Sequence, residues 1–446
     1  MATNLFQSTT FKVLGIGFLA LLMLIPLAQV QGLIGERSSL REQAVDAIAR
    51  RWGAQQQLGG PVLAIPKRTR VQTSTGWITR ESTEILLPDR LDIRGTLAPE
   101  TRRYGIYDTP VYTAELKLNG SFAASDFRAL GSAETTYLWD RAELRLPVGD
   151  VRGIRRVSPL GFAGAQYNLG PGDGDVGNVS TIAVALDLSK PNVADIKDNL
   201  PFELELTLAG TQSLGLLPLA RHTEAVLSAP WADPSFDGAF LPAERRVDAT
   251  GFDAHWQVLD LNRSFGQHWQ QDAEHVQNLR SAGFGVDLYQ PAGVYQQNER
   301  AGKYGVLFIV LTFIAFFLFE VLKKLRVHPV QYLLIGLALT TFYVVLLALS
   351  EQVGFALAYL AAAAAVVVMV AGYAAALLRS RRTGLSLGAL LALVYALLYG
   401  LIVSEQYSLL MGALALLAIM AALMYFTRKV DWYTNYFDAA VSAAPR

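Results

Sequence analysis

The stretch FFLFEVLKKLRVHPVQYLL, residues 316–334, decides the fold, because a strongly apolar run is interrupted there and then restarts. Glu320 lies inside the first run, and the second run begins just after His328-Pro329. Three basic residues separate the two runs: Lys323, Lys324 and Arg326. Apolar runs joined by a short basic stretch are typical of neighbouring membrane-spanning helices that are connected on the cytoplasmic side.

The composition indicates two different solvents for one chain. Of the 446 residues 52% are hydrophobic and only 17% are charged, below the roughly 25% of a typical soluble protein. Between Pro329 and Leu378 the only acidic or basic side chain is Glu351, whereas residues 36–300 carry charges at ordinary density. We therefore expect part of the chain in lipid and part in water.

The charge balance and the absence of cysteine exclude several classes of function. Lys plus Arg and Asp plus Glu each number 38, so no basic field is present to attract nucleic acid, and nucleic-acid binding is excluded. The chain has no cysteine, which excludes disulfide scaffolds, thiolate zinc sites and cysteine nucleophiles.

Six apolar stretches are long enough to cross a bilayer, whose hydrocarbon core of about 30 Å requires roughly 20 helical residues. One stretch lies near the N-terminus and five lie in the C-terminal third. They are Phe11–Val30, Tyr304–Leu322, Gln331–Leu349, Val353–Leu378, Leu385–Val403 and Tyr407–Phe426. The sequence therefore predicts a multi-pass membrane protein with six transmembrane helices.

Basic residues next to these stretches predict the orientation of the chain. If the chain alternates across the bilayer, all of them fall on one side, and the opposite turns at 350–352 and 404–406 contain no basic residue. The orienting residues are Lys12, Lys323, Lys324, Arg326, Arg379, Arg381, Arg382, Arg428 and Lys429. Basic flanks favour the cytoplasm, so we expect both termini inside and residues 32–302 outside. A cleaved signal peptide is the alternative for the first stretch.

Residues 32–302 show the pattern of a β-rich domain. In PFELELTLAG, residues 201–210, apolar and polar side chains alternate with the period of two that a half-buried strand requires. VYTAELKLNGSF, residues 111–122, and TIAVALDLS, residues 181–189, repeat the pattern, and Asn119-Gly120 predicts a turn. A helix precedes them at residues 36–52, and residues 169–178 are predicted to be a long loop or a junction between two lobes.

The predicted organisation has four parts: an anchor at 1–31, a β-rich extracytoplasmic domain at 32–302, a five-helix region at 303–427 and a cytoplasmic tail at 428–446.

Motifs for catalysis, cofactors or metals are missing from the sequence. It has no GxSxG elbow, no Walker loop and no dinucleotide fingerprint. His268 and His275, seven residues apart, would share one face of a helix, but no recognised ligand spacing surrounds them. We therefore predict no catalytic residue, no cofactor and no metal, although a catalytic triad scattered along the sequence would escape this search.

Three acidic residues occur in the membrane region, and such residues are functional candidates by default. Glu320, Glu351 and Glu405 all lie near the ends of predicted segments, where water and headgroups are expected to solvate them. Glu351, in the outer turn Ser350-Glu351-Gln352, is the first choice, and His328 is added as a candidate. The same Ser-Glu-Gln turn recurs at 404–406, which would suit a transporter built from repeated helical hairpins.

Several long motifs identify a family resemblance. KYGVLFIVLTFIAFFLFE (303–320), HPVQYLLIGLALTTFYVVLLALSEQVGFALAY (328–359), PWADPSFDGAFLP (230–242) and GFDAHW (251–256) resemble the CreD family of bacterial inner-membrane cell-envelope integrity proteins. The resemblance implies a Gram-negative inner-membrane protein, controlled by an envelope-responsive two-component system and associated with colicin tolerance and envelope maintenance. It implies no catalytic residues.

These observations favour an envelope-maintenance or stress-response protein without demonstrable enzymatic activity. Its periplasmic module is expected to bind an envelope protein, a lipid or a cell-wall component while the helices contact the bilayer. A transporter that uses the outer-turn carboxylates and a membrane-bound hydrolase are the alternatives. The sequence does not determine the oligomeric state.

Overall fold

The computed structural model describes residues 9–428 except 75, 131–133, 178, 190–195, 272–278, 280, 289–292, 323–326, 378 and 405–406. The chain divides into two compact units, which we call the membrane unit and the β unit. The membrane unit comprises residues 1–40 and 292–446, and the β unit comprises residues 41–291.

The helices follow the apolar stretches of the sequence. They are α1 (Thr9–Leu22), α2 (Leu24–Trp52), α3 (Ala124–Ala129), α4 (Val294–Leu322), α5 (Pro329–Val353), α6 (Phe355–Leu377), α7 (Arg381–Val403) and α8 (Ser408–Thr427). Five described helical segments are long and apolar enough to cross a membrane, one near the N-terminus and four in the C-terminal third, and Leu409–Tyr425 within α8 is a shorter apolar helix. The protein is therefore a multi-pass membrane protein with a large β-rich domain between its first and later apolar helices, as predicted.

Two helices extend well beyond the predicted membrane segments. The helix predicted after the first segment is the continuation of α2, which begins within that segment and ends at Trp52. Only Met23 separates α1 from α2, because Pro26 in the first turn of α2 lacks the amide hydrogen that would bond back to Leu22. Similarly, α4 begins at Val294, ten residues before the predicted start at Tyr304.

Buried aromatic side chains form the centre of the membrane unit. Phe342 of α5 lies 4.7 Å from Tyr395 of α7 and 5.3 Å from Tyr359 of α6, measured between ring centroids. The Tyr359 hydroxyl donates to the backbone carbonyl of Tyr395 at 2.7 Å. These contacts lock α5, α6 and α7 together, since a hydroxyl buried among apolar side chains is costly unless it finds an acceptor.

Short alternating segments of the β unit form strands, as predicted. The strands are β1 (Gln56–Gly59), β2 (Val62–Thr73), β3 (Gly76–Leu86), β4 (Arg90–Tyr104), β5 (Tyr107–Phe122), β6 (Thr135–Tyr137), β7 (Ala142–Pro147), β8 (Ile154–Val157), β9 (Leu160–Phe162), β10 (Ala165–Tyr167), β11 (Gly170–Val176), β12 (Val179–Leu186), β13 (Leu200–Thr211), β14 (Ser213–Leu217), β15 (His222–Ala229), β16 (Pro234–Gly238), β17 (Glu244–Asp248), β18 (Gly251–Leu259), β19 (His268–Gln270) and β20 (Phe284–Leu288).

The strands form three sheets, and most neighbouring strands are antiparallel. The largest has the order β10-β9-β13-β5-β4-β15-β18-β17, with β8 also paired to β13. A second sheet has the order β11-β12-β7-β2-β3-β19, with β6 paired to β2, and a four-stranded sheet has the order β1-β14-β20-β16. In β13, Phe202, Leu204, Leu206 and Leu208 are buried and Glu203 is exposed, so the alternation in the sequence distinguishes the core face from the solvent face.

Two predicted connections are strands instead. Asn119 and Gly120 do not form a turn but continue β5, opposite Glu203 and Phe202 of β13. A Cβ atom on Gly120 would lie 2.1 Å from the Arg90 carbonyl oxygen and 2.4 Å from the Phe202 ring, so the glycine permits close packing. Residues 170–176, predicted within the loop or junction, form β11 and pair with β12; Asn178 lies outside the described residues.

Replacing Gly120 with alanine tests this close packing. Because the added methyl group displaces the Phe202 ring and the Arg90 carbonyl, we expect Gly120→Ala to lower the free energy of unfolding by about 1–3 kcal/mol. The measurement is thermal unfolding of the full-length protein, followed by circular dichroism. Gly170→Ala is the control, since the nearest atom to its Cβ would be 4.0 Å away. Equal melting of the two variants would contradict the packing described here.

Candidate functional site

Glu320, near the end of α4, is more enclosed than Glu351, the other predicted carboxylate among the described residues. Its side chain is only 1% exposed. The expectation that water or headgroups solvate it is therefore wrong, because the membrane unit encloses this end of α4 with side chains from other helices.

Three elements supply partners to the Glu320 carboxylate. Lys12 of α1 forms a salt bridge with its Oε1 atom, and the backbone amide of Val327 donates to the same atom at 2.8 Å. The Tyr332 hydroxyl of α5 donates to Oε2 at 2.9 Å. Lys12 also donates to the Val327 carbonyl at 3.0 Å. A buried carboxylate is tolerated when its lone pairs are satisfied in this way, and we call this group the Glu320 cluster.

The residues around His328 explain why α5 begins directly beside this cluster. His328 is the N-cap of α5, and its Nδ1 atom accepts from the Val330 amide at 3.3 Å. Gln331 completes a capping box by accepting from the His328 amide at 2.8 Å, and Pro329 occupies the first turn, where a missing amide hydrogen costs nothing. His328 thus has a role in positioning α5. Lys323, Lys324 and Arg326 lie outside the described residues.

Glu351 lies at the opposite end of α5 in a second polar cluster. The Tyr295 hydroxyl of α4 donates to its carboxylate at 2.8 Å, and the Arg37 Nε atom of α2 lies 3.9 Å away. Next to it, Asn298 donates to the Ser350 hydroxyl at 2.9 Å. The Glu351 side chain is 11% exposed, so it is enclosed by partners from α2 and α4 but retains some solvent contact.

Several predicted residues are not part of these clusters as described. Glu405 and Lys429 lie outside the described residues. The remaining arginines lie next to helix ends: Arg379 between α6 and α7, Arg381 and Arg382 in the first turn of α7, and Arg428 directly after α8. Arg428 stacks on Tyr425, with 4.2 Å between the guanidinium carbon and the ring centroid.

The histidine pair considered for a metal does not have the predicted geometry. His268 lies in strand β19, not on a helix, and its Nδ1 atom is 2.8 Å from a carboxylate oxygen of Glu84. His275 lies outside the described residues. Among the described residues, no group of three or more His, Asp or Glu side chains is arranged to hold a metal ion.

A polar groove on the β unit was not predicted from the sequence. It has a volume of about 350 Å³ and crosses the solvent face of β8, β13, β5, β4 and β15. Strand register places Glu205, Lys117, Arg94 and Val226 opposite one another in one row. The second row consists of Arg156, Thr207, Glu115, Thr96 and Ser228.

Charges of both signs line this groove. Lys117 and Glu205 form an ion pair at 2.7 Å. Their hydrogen bond lowers the pKa of Glu205 and raises the pKa of Lys117, so both groups are charged at neutral pH. Arg94 donates to Asp92 at 3.2 Å, and its pKa is raised by that bond. The groove therefore offers charged donors and acceptors in fixed positions, which suits a polar ligand with several hydrogen-bonding groups.

Alternating charged residues in strands are the only sequence signal for the groove. The glutamates of PFELELTLAG mark the solvent face of β13, but their partners come from strands distant in the sequence. Only the register of five strands shows which charges share a row.

Comparisons with known proteins cover nearly the whole chain. The family model described as "Inner membrane protein CreD" matches residues 8–433. The chain is 35% identical over 417 residues to the inner membrane protein CreD of Escherichia coli (strain K12). The aligned region covers 93% of this chain and 91% of that relative.

Because the Lys12–Glu320 ion pair is buried, we expect replacing one of its residues to lower the free energy of unfolding more than replacing both. Lys12→Met leaves the Glu320 carboxylate without its cation, and we expect it to lower the free energy of unfolding of the membrane unit by about 3–5 kcal/mol. Replacing both residues with methionine should recover most of that loss, since no unpaired charge remains buried. Thermal unfolding of the purified full-length protein measures both effects.

The Lys303–Glu299 pair provides the control in the same unit. It is a 2.9 Å pair on α4 whose side chains are 66% and 58% exposed, so Lys303→Met should cost only about 0–1 kcal/mol. A Lys12→Met protein as stable as Lys303→Met would show that the Glu320 cluster contributes little.

Proposed function

Because the chain belongs to the CreD family of inner membrane proteins, we propose that it maintains the cell envelope by binding an envelope component through its β unit in the periplasm. The polar groove of the β unit is the observation that carries this proposal. In this proposal the protein is retained in the inner membrane and contacts an envelope component in the periplasm. A membrane unit combined with a water-exposed binding groove suits this arrangement.

The proposed orientation places both termini in the cytoplasm. In it, residues 1–31 are the first anchor, 32–302 are periplasmic, 303–427 contain the later helices and 428–446 are a cytoplasmic tail. Support comes from Arg379, Arg381 and Arg382 between α6 and α7 and from Arg428 after α8, since basic residues at helix ends favour the cytoplasmic side. In this orientation the chain connects the β unit to apolar helices at both of its ends.

The groove favours a polar ligand over an apolar one. Arg94, Lys117 and Arg156 supply cations, and Glu115 and Glu205 supply carboxylates. A cell-wall peptide or a charged segment of an envelope protein carries both kinds of charge and would pair with both rows. Transport by the predicted membrane carboxylates is less well supported, because the side chains of Glu320 and Glu351 are only 1% and 11% exposed, whereas those of Lys117 and Glu205 in the groove are 67% and 62% exposed.

Single cysteine substitutions test the orientation, because the chain contains no cysteine of its own. Leu261→Cys, at a position that is 88% exposed in the β unit, should react with a membrane-impermeant maleimide in cells whose outer membrane is permeabilised. Arg382→Cys should react only after the inner membrane is disrupted. Labelling of Arg382→Cys but not Leu261→Cys in unbroken cells would reverse the proposed orientation.

Photo-crosslinking tests the groove in the full-length protein. A photoreactive amino acid at Thr96 should crosslink an envelope component in living cells, and the same group at Leu261 should not. Arg94→Glu with Arg156→Glu should reduce crosslinking from Thr96 by about tenfold, as expected if about 1.4 kcal/mol of binding energy is lost. Crosslinking that is equal at the two positions, or unchanged by the charge reversals, would contradict a ligand in the groove.

A further inference from the structure

The outer part of the β2–β3 hairpin extends beyond the neighbouring strands of its sheet. β2 and β3 pair continuously from Leu63↔Leu86 to Thr73↔Gly76. The neighbouring strand β6 pairs with β2 only from Lys67 to Thr69. From Val71 outward, the pairing within the described residues is with β3 alone. We call residues 69–80 the hairpin tip.

Large apolar side chains are exposed on both faces of this tip. Trp77 is 55% exposed, Ile78 is 51% exposed and Val71 is 39% exposed. Val71 and Ile78 lie opposite each other on one face, and Trp77 lies on the other, opposite Gln72. A two-stranded ribbon has no core of its own to bury such residues, so these side chains are free to contact an apolar environment outside the protein.

The charges of the tip have a single sign. The sequence TRVQTSTGWITR, residues 69–80, contains Arg70 and Arg80 and no acidic residue. Arg70 stacks on Trp77, with 5.7 Å between the guanidinium carbon and the ring centroid. No ion pair among the described residues involves either arginine. Closer to the sheet, by contrast, Arg68 is paired with Glu81 at 2.7 Å.

The β4–β5 hairpin, the next one along the chain, shows that this pattern is not general. The two arginines nearest its turn each have a carboxylate on the same hairpin: Arg102 pairs with Glu100 at 3.0 Å and Arg103 pairs with Asp108 at 2.8 Å. Its exposed Tyr104 is in contact with Arg51 of the β unit. The arginines near that turn are therefore neutralised within their own hairpin, whereas the β2–β3 tip presents cations and apolar side chains together.

We propose that the β2–β3 hairpin tip docks onto a bilayer surface that contains anionic phospholipid. Tryptophan is favoured at the level of the headgroups, where its ring is partly buried and its indole N–H stays hydrated. Ile78 and Val71 enter the adjacent apolar layer, and Arg70 and Arg80 bind headgroup phosphates. The inference uses the proposed function only for the compartment, since it does not require that the groove holds a ligand.

Vesicle binding by the full-length protein tests this inference. The protein is held in nanodiscs of phosphatidylcholine, and vesicles either rich in phosphatidylglycerol or made of phosphatidylcholine alone are added. We expect binding to the anionic vesicles that weakens as salt is added, because exposed charges are screened. Trp77→Ser with Ile78→Ser should reduce it by about tenfold, and Arg70→Gln or Arg80→Gln by about fivefold each.

Control substitutions elsewhere in the β unit and a fluorescence measurement distinguish docking of the tip from vesicle binding by other parts of the protein. Leu261→Ser and Arg103→Gln remove an exposed apolar residue and an exposed arginine elsewhere in the β unit, and they should leave binding unchanged. Brominated lipid in the vesicles should quench tryptophan emission in the wild type and not in Trp77→Phe, which retains an apolar ring.

Three results would overturn the proposal. They are wild-type protein that does not bind anionic vesicles, equal binding to both kinds of vesicle, and binding that survives the Trp77→Ser, Ile78→Ser substitutions. Each can be observed whether or not crosslinking detects a ligand in the groove, so failure here is distinguishable from failure of the proposed function.

Discussion

The buried carboxylate of Glu320 constrains the membrane unit, because a charge removed from water must find partners in the protein. Those partners are Lys12 of α1, the Val327 amide and Tyr332 of α5. The ion pair therefore joins α1 to α4 across 308 positions of the sequence. Removing either partner leaves a buried charge unpaired, which costs more than the pair itself contributes. The cluster therefore ties α1, α4 and α5 together.

The capping of α5 fixes where this helix begins, next to the Glu320 cluster. His328 accepts from the Val330 amide, Gln331 accepts from the His328 amide and Pro329 has no amide hydrogen to satisfy. This start places Tyr332 within reach of Glu320. At the other end of α5, Glu351 accepts from Tyr295 of α4. One helix thus has a carboxylate cluster at each end, and both clusters attach it to α4. Glu320 and Glu351 therefore contribute to the packing of helices in the membrane unit.

The β unit follows different rules, because water solvates one face of its sheets. Alternation buries Phe202, Leu204 and Leu206 and leaves the intervening glutamates exposed. Where five such strands lie side by side, their exposed residues form the rows of the polar groove. The hairpin tip at 69–80 differs from the groove, since from Val71 outward it pairs only within the hairpin and exposes apolar and basic side chains together. The same unit therefore presents two chemically different surfaces.

The sequence by itself determined the features that depend on local composition. Long apolar runs predicted the membrane helices, and period-two alternation predicted strands such as β13 and β12, because lipid and a half-buried sheet each impose a residue pattern that is visible in one segment. The CreD resemblance was equally visible in long contiguous motifs and was confirmed by the comparisons.

Only the tertiary structure decided what depends on contacts between distant segments. The sequence predicts Lys12 as an orienting charge and Glu320 as a solvated carboxylate. Their pairing depends on the packing of α1 against α4 and α5, which the sequence does not show. Asn119-Gly120 predicts a turn from local sequence, but the pairing of β5 with β13 places Gly120 in a strand, directly against the Phe202 ring. The groove likewise needed strand register, since charges far apart in sequence become neighbours only when hydrogen bonds between strands align them.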